Sequence, residues 1–118
     1  MKRLALIAAV GAIIGSLLRY CVGLVVPHSD VLAWPWSTFT VNVVGAFIIG
    51  AIANVPSVMN NEQRRHFVIT GILGGFTTFS AFAVETIQLQ GALAFAYVAA
   101  TFFVGVCATH LGSKVVKS

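Results

Sequence analysis

GGFTTFSAF, Gly74 to Phe82, is the stretch on which the reading of this chain turns. It lies inside an apolar run, about Phe67–Leu89, long enough to cross a bilayer. Two adjacent glycines followed by two threonines are poor material for an uninterrupted helix. Gly costs about 1 kcal/mol against Ala in a helix interior, and threonine hydroxyls compete for nearby backbone groups. At bilayer depth every freed N–H or C=O needs a partner, so broken backbone is tolerated mainly where it lines a cavity or holds an ion. The expectation is a third helix broken near its middle, with a site at the break.

Outward from this run lie further apolar segments at about Leu4–Val26, Trp36–Val55 and Ala92–Leu111. The chain of 118 residues is 58% apolar and 8% charged, where a soluble domain carries roughly a quarter charged residues. The fold class expected is an all-α membrane protein of four transmembrane helices in a single domain, residues 1–118. Lys2 and Arg3 ahead of an apolar stretch resemble a signal peptide. That stretch runs past a signal's apolar core and contains Arg19, so it reads as a mature helix. Pro27 is expected to end the first span, Pro35 to precede the second, Pro56 with Asn60 and Asn61 to mark the middle loop, and Gln90–Gly91 the last turn.

The formal charge of +4 is scattered at span ends and forms no aromatic-laced basic patch, which argues against nucleic acid. Lys2, Arg3, Arg64, Arg65, Lys114 and Lys117 fall in places that share one side of a four-span topology, whereas Pro27–Pro35 and Gln90–Gly91 carry no Lys or Arg. The positive-inside rule then puts both termini in the cytoplasm, with Trp34 and Trp36 in the outer aromatic belt. Gly11/Gly15 and Gly71/Gly75 repeat at four-residue spacing and read as helix contact faces. Cys21 and Cys107 lie within apolar spans and suit packing rather than a disulfide or metal. Four thin helices leave little room for an internal pathway, so a second copy is expected.

The polar groups set within the spans are Arg19, Asn42, Thr77, Thr78, Ser80, Glu85 and Thr101, with Tyr97 nearby. Such groups are costly in lipid and usually face protein or water. Arg19 has the alternative of reaching the outer interface, and Glu85 that of an interfacial charge or an arginine's partner. Ser80 and Thr101 can bond back to their own helices. Asn42, in VNVVG, has two donors and two lone pairs, and a helix gives it no easy local partner. Phe79, Phe82 and Glu85 share a face. Aromatic ring edges carry partial positive charge and can flank a small anion, although such stripes also serve packing. The break itself suits a packing kink, an anion at a half-helix N-terminus, or a hard cation on freed carbonyls. Residue types alone leave these open.

At these residues the chain resembles the CrcB/Fluc family of fluoride channels over essentially its whole length. GAIIGSLLRY, Gly11–Tyr20, is similar to that family's first-helix pattern of glycines ending in Arg-Tyr. WSTFTVNVVGAFIIG, Trp36–Gly50, resembles its second-helix signature VNxxGxFxxG, and GILGGFTTFSAF, Gly71–Phe82, its third-helix signature GGxTTFSxF. The resemblance implies an antiparallel dimer with two separate pores that pass fluoride passively and selectively. It implies a structural Na+ at the dimer centre, held by the carbonyls of Gly74 and Thr77 from both subunits. By the same match Phe79 and Phe82 line the pores, Asn42 faces the pore and Ser80 supplies a hydroxyl. Glu85 stands near the ion path, and Arg19 draws anions to the vestibule. Tyr97, Thr101 and Gly105 have the spacing of a fourth-helix polar track, although Gly105 offers no hydroxyl. Ser16, Ser37 and Ala81 stand where Ala, Gly and Thr are more usual in the family, small changes in volume.

A pore for a strongly hydrated anion must replace water with donors that do not hold it too tightly. An inside-negative potential drives fluoride outward at roughly 2.3 kcal/mol per charge per 100 mV, so a passive path in the plasma membrane is sufficient. One feature departs from an antiparallel homodimer: six of the seven Lys and Arg lie on one side, with Arg19 toward the other. That bias favours pairing with an oppositely oriented paralogue over a homodimer. The rival readings are a small multidrug/proton antiporter, which needs a carboxylate that Leu4–Val26 lacks, and a non-conducting assembly subunit. No nucleophile–base pair, metal cluster or phosphate loop suggests an enzyme; His28, His66 and His110 fall in a loop and at span ends.

Overall fold

The computed structural model describes residues 2–26 and 34–116. Pro27, His28 and Lys117, and most of the first loop, lie outside the described residues. Helix α1 covers Lys2–Val25 and α2 covers Trp36–Ile52. Two short helices follow, α3 at Pro56–Met59 and α4 at Glu62–Arg65. A π-helical run, His66–Leu73, passes into α5, Gly74–Phe76; α6 then covers Ser80–Gln88 and α7 Ala92–Val115. Every regular element among the described residues is a helix. Three stretches, Lys2–Val25, Glu62–Gln88 and Ala92–Val115, are long and apolar enough to cross a membrane, and this is a membrane protein.

Helix α2 departs from the expected Trp36–Val55. Its 17 residues reach only about 26 Å at roughly 1.5 Å per residue, short of a typical hydrocarbon thickness of about 30 Å. The cause lies in Pro56, which opens α3 and disfavours helical angles at the residue before it. Val55 is accordingly extended, at φ −107° and ψ 99°. In the other direction α7 runs past Leu111 to Val115. Between α6 and α7 the chain reverses at Gly91, whose φ of +63° belongs to glycine.

The helices pack as two parallel pairs. Along α1, Gly11 meets Phe67 and Gly71, and Gly15 meets Ile72 and Phe76, so contacts advance in the same direction on both elements. An added Cβ on Gly71 would lie 2.8 Å from Gly11 Cα, and one on Gly75 would lie 3.0 Å from Ala12 Cα. The two glycine faces read from the sequence therefore meet each other, backbone to backbone. The second pair is α2 with α7, where Gly50 faces the Thr109 carbonyl and Gly112 faces that of Phe47. Thr109 Oγ1 donates to Ala46 O at 3.1 Å, and Asn54 Nδ2 donates to Ser113 O at 2.5 Å, fixing the register of that pair.

The pairs touch one another sparingly. Core side chains are few: Val41, Leu73, Phe76, Phe82, Leu89, Tyr97 and Ala108 are buried, while Leu6, Ile13, Leu17 and Leu24 of α1 are exposed. For a membrane protein those apolar surfaces face lipid or another subunit. Between the pairs an open groove remains, and the glycine–threonine run forms part of its wall.

Candidate functional site

The α-helical stretch that begins at Gly74 ends at Phe76, and helix resumes at Ser80. Thr77 between them is extended, at φ −80° and ψ 161°. In a continuous helix the Thr78 N–H would bond to the Gly74 carbonyl, four residues back. Here it donates to Asn42 Oδ1 at 2.8 Å, and Asn42 Nδ2 donates to Thr78 O at 3.0 Å. One side-chain amide thus meets both backbone groups of a single residue, as a neighbouring strand would. The helix that gave Asn42 no local partner lets it find one across the groove.

Other groups complete the arrangement. Thr77 sends both its N–H and its Oγ1 to Leu73 O, each at 2.9 Å. Thr78 Oγ1 accepts from Ala81 N at 3.1 Å and lies 3.3 Å from Ser80 Oγ, so it caps the first turn of α6. Arg19 Nε donates to Gly75 O at 3.2 Å. Gly45, one turn beyond Asn42 on α2, makes room for Thr77: a Cβ there would strike Thr77 Cγ2. Among the described residues no hydrogen bond across this segment ends on the carbonyl of Gly74 or of Thr77.

The groove has a volume of about 760 Å³, and its wall includes Asn42, Thr77, Phe79, Phe82, Thr101 and Gly105. The two phenylalanine rings stand 6.0 Å apart at 48°. Phe79 is 78% exposed, whereas Phe82 is 8% exposed and packs on Tyr97 at 5.1 Å. Tyr97 is fully buried and belongs to the layer behind that wall, with Trp34 edge-on to it at 5.3 Å. Thr101 Oγ1 and Glu85 Oε1 are buried and make no hydrogen bond to the described residues. The Tyr97 hydroxyl is likewise buried and makes no hydrogen bond to the described residues.

A smaller cavity of about 220 Å³ lies on the other side of Thr78, lined by Arg19, Tyr20, Ser37, Thr38 and Ala81 among others. Of the residues named from sequence, Asn42, Thr77, Phe79, Phe82 and Thr101 come together on the groove. Arg19 borders the smaller cavity instead, Ser80 lies exposed beside Thr78, and Tyr97 with Glu85 belongs behind the groove wall. Thr78 and Gly45 are not among the site residues read from sequence, although Thr78 touches both cavities and holds the segment through four contacts. The only signal for them in sequence is the doubled threonine and the small residue one turn from Asn42.

Among the described residues no three of His, Cys, Asp and Glu gather as metal ligands. A cation at this segment would take backbone oxygens, which suit a hard ion. Gly74 presents an exposed surface, and a Cβ built on it meets only Ile69 O, at 3.7 Å. Two carbonyls from one chain are a partial shell; a second copy would double it.

Residues 6–113 match the family model described as CrcB-like protein, Camphor Resistance (CrcB). The chain is 40% identical to a protein of Rhizobium etli over 97% of this chain and 96% of that one. It is 41% identical to one of Caulobacter vibrioides over 99% and 97%, and 51% identical to one of Rhizobium leguminosarum bv. trifolii over 72% and 70%. Each of these relatives is named fluoride-specific ion channel FluC. With a match that spans nearly all of α1 through α7 and contains the whole Asn42–Thr78 segment, this chain belongs to the CrcB family.

Proposed function

We propose that this chain is a subunit of a fluoride-selective channel, a passive pore rather than an enzyme, through which cytoplasmic fluoride leaves the cell. The observation that carries the reading is the groove on which Asn42, Phe79, Phe82 and Thr101 converge, in a chain whose relatives are named fluoride-specific channels. Among the described residues the wall offers amide and hydroxyl donors and ring edges, and no Lys or Arg. Asn42 has a second N–H beyond the one given to Thr78, and Thr101 Oγ1 is free to turn toward an anion. Such donors replace hydration without trapping the ion.

The functional unit is a dimer of antiparallel subunits in the plasma membrane. Its second subunit closes the open groove and covers the exposed Phe79 ring, giving a separate path along each chain. The carbonyls of Gly74 and Thr77 from the two subunits would together hold a structural Na+, which would offset their dipoles and fix the two chains together. The charge bias of the chain supports both termini lying in the cytoplasm and a partner of opposite bias. A proton-coupled antiporter fits less well, since α1 carries no carboxylate.

The test is fluoride efflux from liposomes, read by a fluoride electrode with a counter-ion pathway present. Protein alone, or co-expressed with an oppositely biased paralogue, is expected to release fluoride rapidly and chloride hardly at all. Phe82→Ile and Asn42→Ala should each cut the flux sharply. Wild-type flux in both variants would sink the pore assignment.

A further inference from the structure

We infer that Asn42, a residue of the anion path, is also what frees the Gly74 carbonyl for a cation. The inference rests on the dimer-axis cation reading proposed above. Its starting point is a hydrogen bond that is absent from its usual place. Thr78 N–H is the donor that would close a helical turn on Gly74 O. Asn42 Oδ1 takes that donor at 2.8 Å, and the partner bond from Asn42 Nδ2 to Thr78 O at 3.0 Å holds the peptide in position. Two bonds to one residue resist rotation better than one, so the amide acts as a clamp.

Neighbouring groups narrow the choice of carbonyl further. Leu73 O is occupied twice by Thr77, and Gly75 O is occupied by Arg19 Nε. Thr78 O is occupied by Asn42 itself. Side chains of Thr77, Arg19 and Asn42 therefore claim carbonyls on either side of Gly74 and Thr77, and among the described residues neither of those two accepts a hydrogen bond. Gly74 adds no side chain that could cover its own oxygen, and a Cβ there would meet only Ile69 O, at 3.7 Å. Asn42 is thus a positioning residue for the cation and a donor to the anion, and the two ions are linked through one amide. The two roles use different atoms: the oxygen Oδ1 for the cation site, and the N–H groups for the peptide and the anion.

That division makes the two roles separable. Asn42→Asp keeps an oxygen to accept the Thr78 N–H but loses the amide protons. Asn42→Ala loses both. The purified full chain, alone or with its paralogue, is melted in detergent across a NaCl series with N-methylglucamine chloride holding ionic strength constant. The wild type is expected to melt higher as Na+ rises. Asn42→Ala should need about fivefold more Na+ for half the shift, the size expected when an accepted hydrogen bond of about 1 kcal/mol is returned to Gly74 O. Asn42→Asp should keep the wild-type Na+ response while its fluoride flux falls, a split that general destabilisation would not produce.

A wild-type Na+ response in Asn42→Ala overturns this inference while leaving the cation site standing. If Asn42→Ala does not assemble, Asn42→Asp decides: loss of its Na+ response overturns the inference and retention supports it. Absence of any Na+ response in the wild type, with fluoride flux intact, overturns the cation reading and this inference with it.

Discussion

Arg19 of α1 donates its Nε proton to the carbonyl of Gly75 at 3.2 Å, which ties the end of the first span to the last turn before Thr77. The contact links residues 56 positions apart in sequence and is partly buried. It turns a residue that could have reached for the headgroups into a bolt across the α1 interface. A hydrogen bond that involves a charged group contributes about 1.5–3 kcal/mol. Arg19→Ala is expected to lower stability by about that amount, and Arg19→Lys to recover only part of it, since an ammonium lacks the planar fork. Thermal melting of the purified variants checks this. Wild-type melting of Arg19→Ala would refute the role.

The glycines separate by surroundings. A Cβ on Gly15 would strike the Ile72 carbonyl, backbone that cannot swing aside, whereas one on Gly105 finds nothing within 4 Å. Overpacking a tight contact costs about 1–3 kcal/mol. Gly15→Ala should therefore lower the melting point and shift protein toward aggregates on size-exclusion chromatography. Gly105→Ser should assemble as the wild type does and place a hydroxyl on the groove wall. If the two variants behave alike, the close approach of α1 is not as described.

Gly91 makes a third and different case. Open space surrounds the position, yet its φ of +63° with ψ of −134° is a backbone state that L residues avoid. Strain of this kind costs on the order of 1–3 kcal/mol. Gly91→Ala is expected to destabilise despite the room available, and Gly105→Ala, in the interior of α7, to melt at or slightly above the wild type. Equal melting points for the two would show that conformation at this turn is not limiting.

The one-sided distribution of Lys and Arg predicts a fixed orientation. A protease-cleavable tag placed after Ser118 should be cut only from the cytoplasmic side, in broken but not in intact cells. Equal cutting from both sides would show that this chain inserts either way and needs no paralogue.

How much of this was legible in the sequence depends on whether the cause is local. The glycine faces of α1 and Gly71/Gly75 are legible because small residues at four-residue spacing have few other uses in lipid, and they meet as read. Freed backbone groups near residues 74–82 follow from residue type, but the groups that take them up do not. Asn42 and Thr78 are 36 positions apart, and the pairing depends on how α2 is turned against the third span. The same holds for Arg19, whose acceptor is a backbone carbonyl and so leaves no mark in the sequence. The π-helical turns at His66–Leu73 have no residue signature either. Helix α2 ends early for a local reason, Pro56, that hydropathy alone overrides and backbone sterics do not.

The parallel pairing of helices also governs how the chain can be made. Neither pair joins neighbours in sequence: α1 meets the stretch from Phe67 to Phe76, and α2 meets α7. During synthesis the glycine face of α1 therefore has no mate until the third span has entered the bilayer, and α2 waits for the fourth. Assembly is held back until most of the polypeptide has left the ribosome. A stop or truncation before Ala92 would leave α2 stranded, with Gly50 and Asn54 exposed to lipid and headgroups. Quality control in the membrane would meet such a fragment as an unpaired helix and not as a half-built pore.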